Sequence, residues 1–265
     1  MDDTYEVFAI RYAHLGKRTR RETFLGLDPH DGAPYPIDYY VWVVRNAERS
    51  FVVDTGFDHE EGTKRNRVIE RLPREGLAML GVDCAAAEDV IITHLHYDDA
   101  GTLDHFPKAR LHLQEAEMAY ATGRCMGYET LRHPYSVEHV CGMVRHVFAG
   151  RVAFHAGDEE VAPGLSVHLI GGHAKGIQAV RVRTRRGWVV LASDAAHYYE
   201  NFLEYRPFII VHDVEATLCG YDRMRVLASS VDHIIPGHDP DVLRRYPAVP
   251  GLEGIACRLD VPPGS

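Results

Sequence analysis

Four short apolar runs of this chain each stop at side chains of the kind that bind metal ions, and that repetition limits the folds open to it. Val90-Ile91-Ile92 runs into Thr93-His94-Leu95-His96-Tyr97-Asp98-Asp99-Ala100-Gly101, and Val167–Ile170 ends at Gly171-Gly172-His173. Val189–Ala192 ends at Ser193-Asp194, and Ile234-Ile235 at Pro236-Gly237-His238. Runs this short and this rich in β-branched residues read as buried strands. Open α/β sheets collect their ligand sites at the C-terminal ends of such strands, so four strand ends are expected to meet at one edge. The glycines before His173 and His238 permit sharp turns that bring short side chains to a shared point.

His94 and His96 are one residue apart, which in an extended segment points both imidazoles to the same side, and Asp98 and Asp99 follow directly. A lone histidine is usually a satisfied polar group. Adjacent buried carboxylates are different, because they repel one another unless a cation neutralises them. Together, His94, His96, Asp98, Asp99, His173, Asp194 and His238 form a candidate ligand set for two divalent ions, with Asp194 bridging. The chain has 17 histidines in 265 residues; most, including His105 and His112 outside the strand-end pattern, are expected to have no such role.

The remaining segments supply layers. Alternation from Tyr5 to Leu15 reads as a strand, followed by strands over Ile37–Val44 and Phe51–Asp54. Helical turns are expected from about Lys64 to Leu80, interrupted at Pro73, then a strand at Arg110–Leu113 and a helix from Gln114 to Ala121. The irregular stretch 122–146 reads as a helical insertion over the site. Further strands fall near Val152–Phe154, Leu165–Ile170, Gln178–Thr184 and Trp188–Ala192. A helix from about Val214 to Ala228 is capped by Asp213, with Val214, Leu218, Tyr221 and Leu227 on one face. Two halves of strands with outer helices predict an α/β fold of four layers, αββα. No shift in composition marks a linker, so one domain over 1–265 is expected.

Composition narrows the function classes. Hydrophobic residues at 46% and charged ones at 25% are those of a globular protein. A net charge of −9, from 38 acidic and 29 basic side chains, disfavours nucleic acid as a partner. The basic run Lys17-Arg18-Thr19-Arg20-Arg21 is expected to be a solvated loop, and the segment Lys17–Pro36 a pocket wall. No apolar stretch approaches the roughly 18 residues of a bilayer crossing, and Met1-Asp2-Asp3-Thr4-Tyr5-Glu6 is acidic where a secretory signal is basic and then apolar. Five cysteines at irregular spacing suit buried thiols of a reducing cytoplasm. The expected partners are a small-molecule substrate and, at most, a second copy of the chain as a homodimer, with neither nucleic acid nor membrane.

The string His94-Leu95-His96-Tyr97-Asp98-Asp99-Ala100-Gly101, with Asp54-Thr55-Gly56 upstream and the Gly-His, Ser-Asp and Gly-His strand ends in that order, resembles the metallo-β-lactamase superfamily. Within it, Ser193-Asp194-Ala195-Ala196 and the chain length are similar to the N-acyl homoserine lactonase branch. The resemblance implies one ion, zinc first, on His94, His96 and His173, and a second on Asp98, residue 99 and His238, with Asp194 between. It implies a hydrolase that opens a lactone or similar cyclic ester by attack of a metal-bound hydroxide, with Asp98 passing the proton. The alternatives are another hydrolase of the same fold acting on a thioester, amide or phosphoester, a mono-iron oxidoreductase on the same ligands, and a binding protein that has lost its second ion.

Two positions depart from the family pattern. Asp99 stands where the family has histidine, giving the second position a harder, more negative set of ligands and shifting its preference from zinc toward manganese or iron. His197 stands where the lactonases tend to have the tyrosine that holds the substrate carbonyl. His197 and Tyr198 are therefore the candidate catalytic donors, with Tyr199 a further possibility for that place.

Overall fold

Period-two alternation decides how the first strands are used. Along β1 (Glu6–Leu15) and β2 (Ile37–Arg45) most residues are buried, and alternate side chains enter different cores. Val7, Ala9, Tyr40, Trp42 and Val44 join one core, whereas Phe8, Ile10, Tyr12, Tyr39, Val41 and Val43 join the other. Strands buried on both faces lie inside a layered structure. The computed structural model describes residues 3–264; Met1 and Asp2 of the acidic N-terminal stretch, and Ser265, lie outside the described residues.

After β3 (Ser50–Val53) come α1 (His59–Lys64), β4 (Val68–Ile69) and α2 (Pro73–Met79), where one interrupted helix was expected over Lys64–Leu80. Asn66 takes a positive φ of 56° after α1, and Pro73 opens α2. At a first helical position proline's missing N–H costs no hydrogen bond. The chain continues through β5 (Asp89–Ile91), β6 (Arg110–Gln114), α3 (Glu115–Ala121), α4 (Glu129–Arg132), α5 (Val137–Phe148) and β7 (Val152–His155). Then follow β8 (Glu159–Ala162), β9 (Leu165–Leu169), β10 (Gln178–Thr184), β11 (Gly187–Ser193), α6 (Tyr199–Leu203) and α7 (Val214–Leu227). The last elements are β12 (Ile234–Pro236), α8 (Asp241–Arg245) and β13 (Ala256–Arg258).

The strands form two sheets. The first has the order β13-β1-β2-β3-β5-β6-β7, with β4 pairing on β1; the second has the order β12-β11-β10-β9-β8. β3, β5, β6 and β7 run parallel, as do β11 and β12. One core joins the facing sheets and the inner side of α7; the other joins the first sheet to α2, α3 and α5. This is the expected αββα sandwich. Asp213 caps α7, accepting from the Ala216 N–H at 3.0 Å. The buried face of α7 is Thr217, Gly220, Tyr221 and Met224. Of the expected set, Tyr221 is on it, Leu218 and Leu227 pack partly buried against the same core, and Val214 is exposed.

Two surface expectations change. Arg18 is buried, while Arg20 and Arg206 share Asp28 and Glu200, so only Lys17 and Arg21 of the basic run are exposed. The clasp fastens the 18–35 loop to α6, with Tyr35 donating to Glu200 at 3.0 Å. Of the cysteines, only Cys84 and Cys257 are buried; Cys125 and Cys141 are half-buried and Cys219 is exposed. In the 122–146 stretch, α5 packs Val140 and Met143 into the core. It is residues 133–135 that reach the histidine loop, where Pro134 accepts from the Tyr97 N–H at 2.9 Å.

Glu117 of α3 has no solvent exposure and holds three segments together. Its carboxylate accepts from the Leu95 N–H at 3.1 Å, the Gly176 N–H at 3.0 Å and the Tyr135 hydroxyl at 2.8 Å. Glu117→Ala strands these buried donors at about 1–3 kcal/mol each. Urea unfolding of this variant is expected to show a loss of about 3 kcal/mol or more; a loss below about 1 kcal/mol would mean that other contacts hold these loops.

Candidate metal centre

The strand ends meet as the sequence implies, and close backbone approaches make this possible. Gly172 has φ +92°, and a Cβ there would lie 2.6 Å from the Thr217 nitrogen at the start of α7. A Cβ on Gly237 would lie 2.5 Å from the Ser193 carbonyl oxygen. Asp54 and Ser193, at the ends of β3 and β11, hold positive φ of 58° and 45°, a conformation that costs non-glycine residues free energy and persists where its surroundings enforce it. Here hydrogen bonds do so. Asp54 accepts from the Thr93 N–H at 2.7 Å and the Thr93 hydroxyl at 2.8 Å, and Ser193 Oγ lies 2.9 Å from that hydroxyl.

Into this frame come His94, His96, Asp98, Asp99, His173, Asp194 and His238, all buried. His173 Nε2 lies 2.8 Å from His96 Nδ1, 3.1 Å from His94 Nε2 and 3.3 Å from Asp194 Oδ2. Asp194 Oδ1 lies 2.8 Å from His238 Nε2, which is 3.7 Å from Asp98 Oδ2. Three sets of ligand atoms are each confined within 4.8 Å: His94, His96, His173 and Asp194; Asp98, Asp99 and Asp194; and Asp194, His197 and His238. Asp194 belongs to all three.

The donor set fits divalent ions. His173 Nδ1 lies 2.7 Å from the Ile210 carbonyl and His238 Nδ1 2.7 Å from the Asp38 carbonyl. These acceptors hold a proton on each Nδ1 and turn Nε2 inward, the arrangement found behind metal-binding imidazoles. Two ring nitrogens then lie within about 3 Å of His173 Nε2, and Asp99 Oδ2 is buried and without a hydrogen-bond partner. Edges of 2.8 to 3.9 Å bracket the ~3.4 Å expected between tetrahedral ligands at ~2.1 Å from zinc.

The same crowding shifts the titrations. Burial drives His94 and His96 well below the ordinary imidazole range, leaving them unprotonated. Burial, then Asp194's charge, pushes Asp98 up to about 6. Burial, then Asp54's charge, lifts Asp99 well above the carboxylate range. Burial opposes charge on Asp194 as well, but His238 and His197 hold it well below its usual value. At His238 burial opposes the charged form, yet Asp194 lifts the imidazole to about 9.

The expected sites are placed unevenly. Asp99 turns Oδ2 toward His94, at 3.4 Å, and Oδ1 toward Ser193, at 3.5 Å, rather than toward His238. His197 lies within ligand range, its Nε2 3.1 Å from Asp194 Oδ2, and its ring stacks on Phe208 at 3.6 Å. Tyr198 donates to the Pro36 carbonyl at 3.2 Å and packs on Tyr35; it does not join the cluster. Tyr199 lies in the core between the sheets. His112 bonds to Asp89 at 2.9 Å and His155 at 3.1 Å, away from the centre. Sequence reasoning missed Glu117, Arg18 and Arg67. Asp54 was visible in Asp54-Thr55-Gly56, though its bonds to Thr93 were not.

A cavity of about 40 Å³ lies over the cluster, lined also by Arg18, Tyr39, Arg67, His133, Pro134 and Ile210. It adjoins a cleft of about 230 Å³ lined by Tyr120, Leu131, Tyr135, Ile209 and Val211. A larger void of about 790 Å³ sits at the N-terminal ends of β3, β5 and β6 and contains none of the cluster. Ligand chemistry, not size, locates the candidate site.

Comparison with known proteins agrees with this geometry. The family model described as the metallo-beta-lactamase superfamily matches residues 35–238. A probable metallo-hydrolase of Mycobacterium tuberculosis is 26% identical over 230 residues, covering 77% of this chain and 72% of its own. An N-acyl homoserine lactonase of Bacillus cereus is 28% identical over 182 residues; the match covers 67% of this chain and 64% of that protein, just under two thirds of its length. A quorum-quenching N-acyl homoserine lactone lactonase of known structure shares the fold, with a TM-score of 0.74 at 24% identity over 90% of this chain and 94% of its own.

Protein purified without chelators is expected to carry two divalent ions per chain by elemental analysis. Asp194→Ala should lose both and Asp99→Ala one, while His112→Ala keeps both. An Asp194→Ala protein that retains two tightly held ions would refute the shared-ligand arrangement.

Proposed function

The chain belongs to the metallo-beta-lactamase superfamily, and from that premise we propose that it is a metal-dependent hydrolase that opens a lactone or similar cyclic ester. The observation that carries the reading is the membership of Asp194 in all three ligand groups, the arrangement a dinuclear centre requires. His94, His96 and His173 would hold one ion, and Asp98 and Asp99 the other, with Asp194 between them and His238 and His197 within reach of Asp194. Zinc suits the imidazole-rich position, whereas the carboxylates favour manganese or iron at the second. The lactone class comes from the Bacillus relatives, named as N-acyl homoserine lactonases. Five thiols, none paired among the described residues, suit a cytoplasmic location.

Divalent ions at such a centre supply hydroxide at neutral pH and polarise an ester carbonyl. The chain's own groups do the rest. Asp98, buried and with Oδ2 3.7 Å from His238 Nε2, is placed to take the proton of the attacking water and return it to the departing ring oxygen. His197, driven down to about 3 chiefly by burial, is neutral at pH 7, and Phe208 fixes its ring plane. It is therefore the better candidate of the original pair to orient the substrate carbonyl, Tyr198 being committed to Pro36.

Metal-loaded protein is to be tested on a panel of lactones, thioesters and amides, with hydrolysis followed by proton release. Lactones are expected to be the preferred class, and His173→Ala and Asp194→Ala each to retain less than about a tenth of wild-type activity, since a lost ligand costs several kcal/mol of transition-state stabilisation. Preference for thioesters or amides, or oxygen uptake by a one-iron protein that opens no lactone, would displace this reading.

A further inference from the structure

Most arginines around the candidate centre have an acidic partner. Arg20 and Arg206 share Asp28 and Glu200, and Arg65 pairs with Glu61 at 2.8 Å. The two that differ are Arg18 and Arg67, and both line the cavity over the ligand cluster. Arg18 is only 8% exposed; it donates to the Thr23 hydroxyl at 3.1 Å and the Glu22 carbonyl at 2.7 Å. Arg67 donates to the Tyr97 hydroxyl at 3.1 Å and the Arg65 carbonyl at 2.6 Å. Neither forms an ion pair among the described residues, and Nη1 of Arg18 and Nη2 of Arg67 have no acceptor there. Between them Tyr39 presents a buried hydroxyl that accepts from Tyr97 at 3.1 Å.

A guanidinium stays protonated even where water is scarce, so one without a counter-charge is costly when buried, as Arg18 is, and less so when half-buried, as Arg67 is. After burial and the hydroxyls of Tyr39 and Tyr97, the carboxylate that acts on Arg67 is Asp98, one of the candidate ligands. Two divalent ions would more than cancel Asp98, Asp99 and Asp194 together, leaving both guanidinium groups without compensating charge. The cavity therefore pairs an electrophilic centre with a cationic wall. His133, Pro134 and Ile210 line both this cavity and the apolar cleft.

We propose that the substrate of this site carries a carboxylate beside its scissile ester, held by Arg67 and Arg18, with its apolar part directed into the cleft at Leu131 and Ile209. The proposal rests on the hydrolase reading above and narrows it to anionic lactones. Two open nitrogens and a small cavity suit the two oxygens of a carboxylate. Arg67 and Arg18 are specificity-determining residues, because they bind a group that does not react.

The test uses the metal-loaded protein with 5-oxotetrahydrofuran-3-carboxylate, a lactone acid, and its methyl ester. The acid is expected to have at least tenfold the kcat/KM of the ester, and Arg67→Gln and Arg18→Gln each to reduce that ratio at least fivefold. Arg110→Gln, on the distant void, should leave the ratio unchanged. Calorimetry gives a second readout without turnover: succinate should bind at least tenfold more tightly than monomethyl succinate, and this difference should vanish in Arg67→Gln. If neither lactone is opened but the succinate preference depends on Arg67, the lactonase reading fails and anion recognition stands. If lactones are opened with a ratio at or below one, or the ratio survives both substitutions, the proposal is overturned.

Discussion

Three carboxylates and five imidazoles share one buried corner of this protein, and much of the nearby architecture keeps that arrangement together. Asp98, Asp99 and Asp194 would repel each other strongly in a medium that screens charge poorly. The fold neither dilutes nor solvates them. It surrounds them with fixed polar partners: Asp54 tied to Thr93, carbonyls of Ile210 and Asp38 orienting two imidazoles, and Glu117 gathering three loops. Buried polar groups on this scale persist when nearly all are satisfied. The unpartnered atoms within the cluster, Asp99 Oδ2 and His197 Nδ1, mark where further ligands or protons belong.

Much of this was legible in the sequence because it depended on short-range pattern. Alternation revealed the strands, and abrupt endings such as Ile92 to His94 revealed the ligands. Asp213 before an apolar-periodic segment announces α7, and Leu218, Tyr221 and Leu227 do pack on the core, whereas Thr217 and Gly220 escape notice because small residues at a close helix contact carry little hydropathy signal. Pro73 was read as a breaker although its place at a helix start makes it compatible with one. The two-residue β4 and three-residue β13 depend on pairing with β1, a long-range relation that composition does not encode.

Side-chain direction was harder still. Three consecutive residues, His197, Tyr198 and Tyr199, go to the ligand cluster, to Pro36 and to the core between the sheets, a division set by the turn into α6 and invisible in residue type. Glu117 gave no signal because a glutamate in a helix is ordinarily solvated. The basic run at residues 17–21 was misread for the complementary reason: charges are buried or exposed according to partners as distant as Glu200.

The ligands come from both halves of the sandwich. His94, His96, Asp98 and Asp99 follow β5 of the first sheet, whereas His173, Asp194 and His238 follow β9, β11 and β12 of the second. Ions held between them would rivet the two sheets at one edge, adding to folding stability by mass action as the logarithm of free-ion concentration over dissociation constant. Resistance to heat would then report ion occupancy, and a cell short of metal would lose the protein's rigidity along with its chemistry.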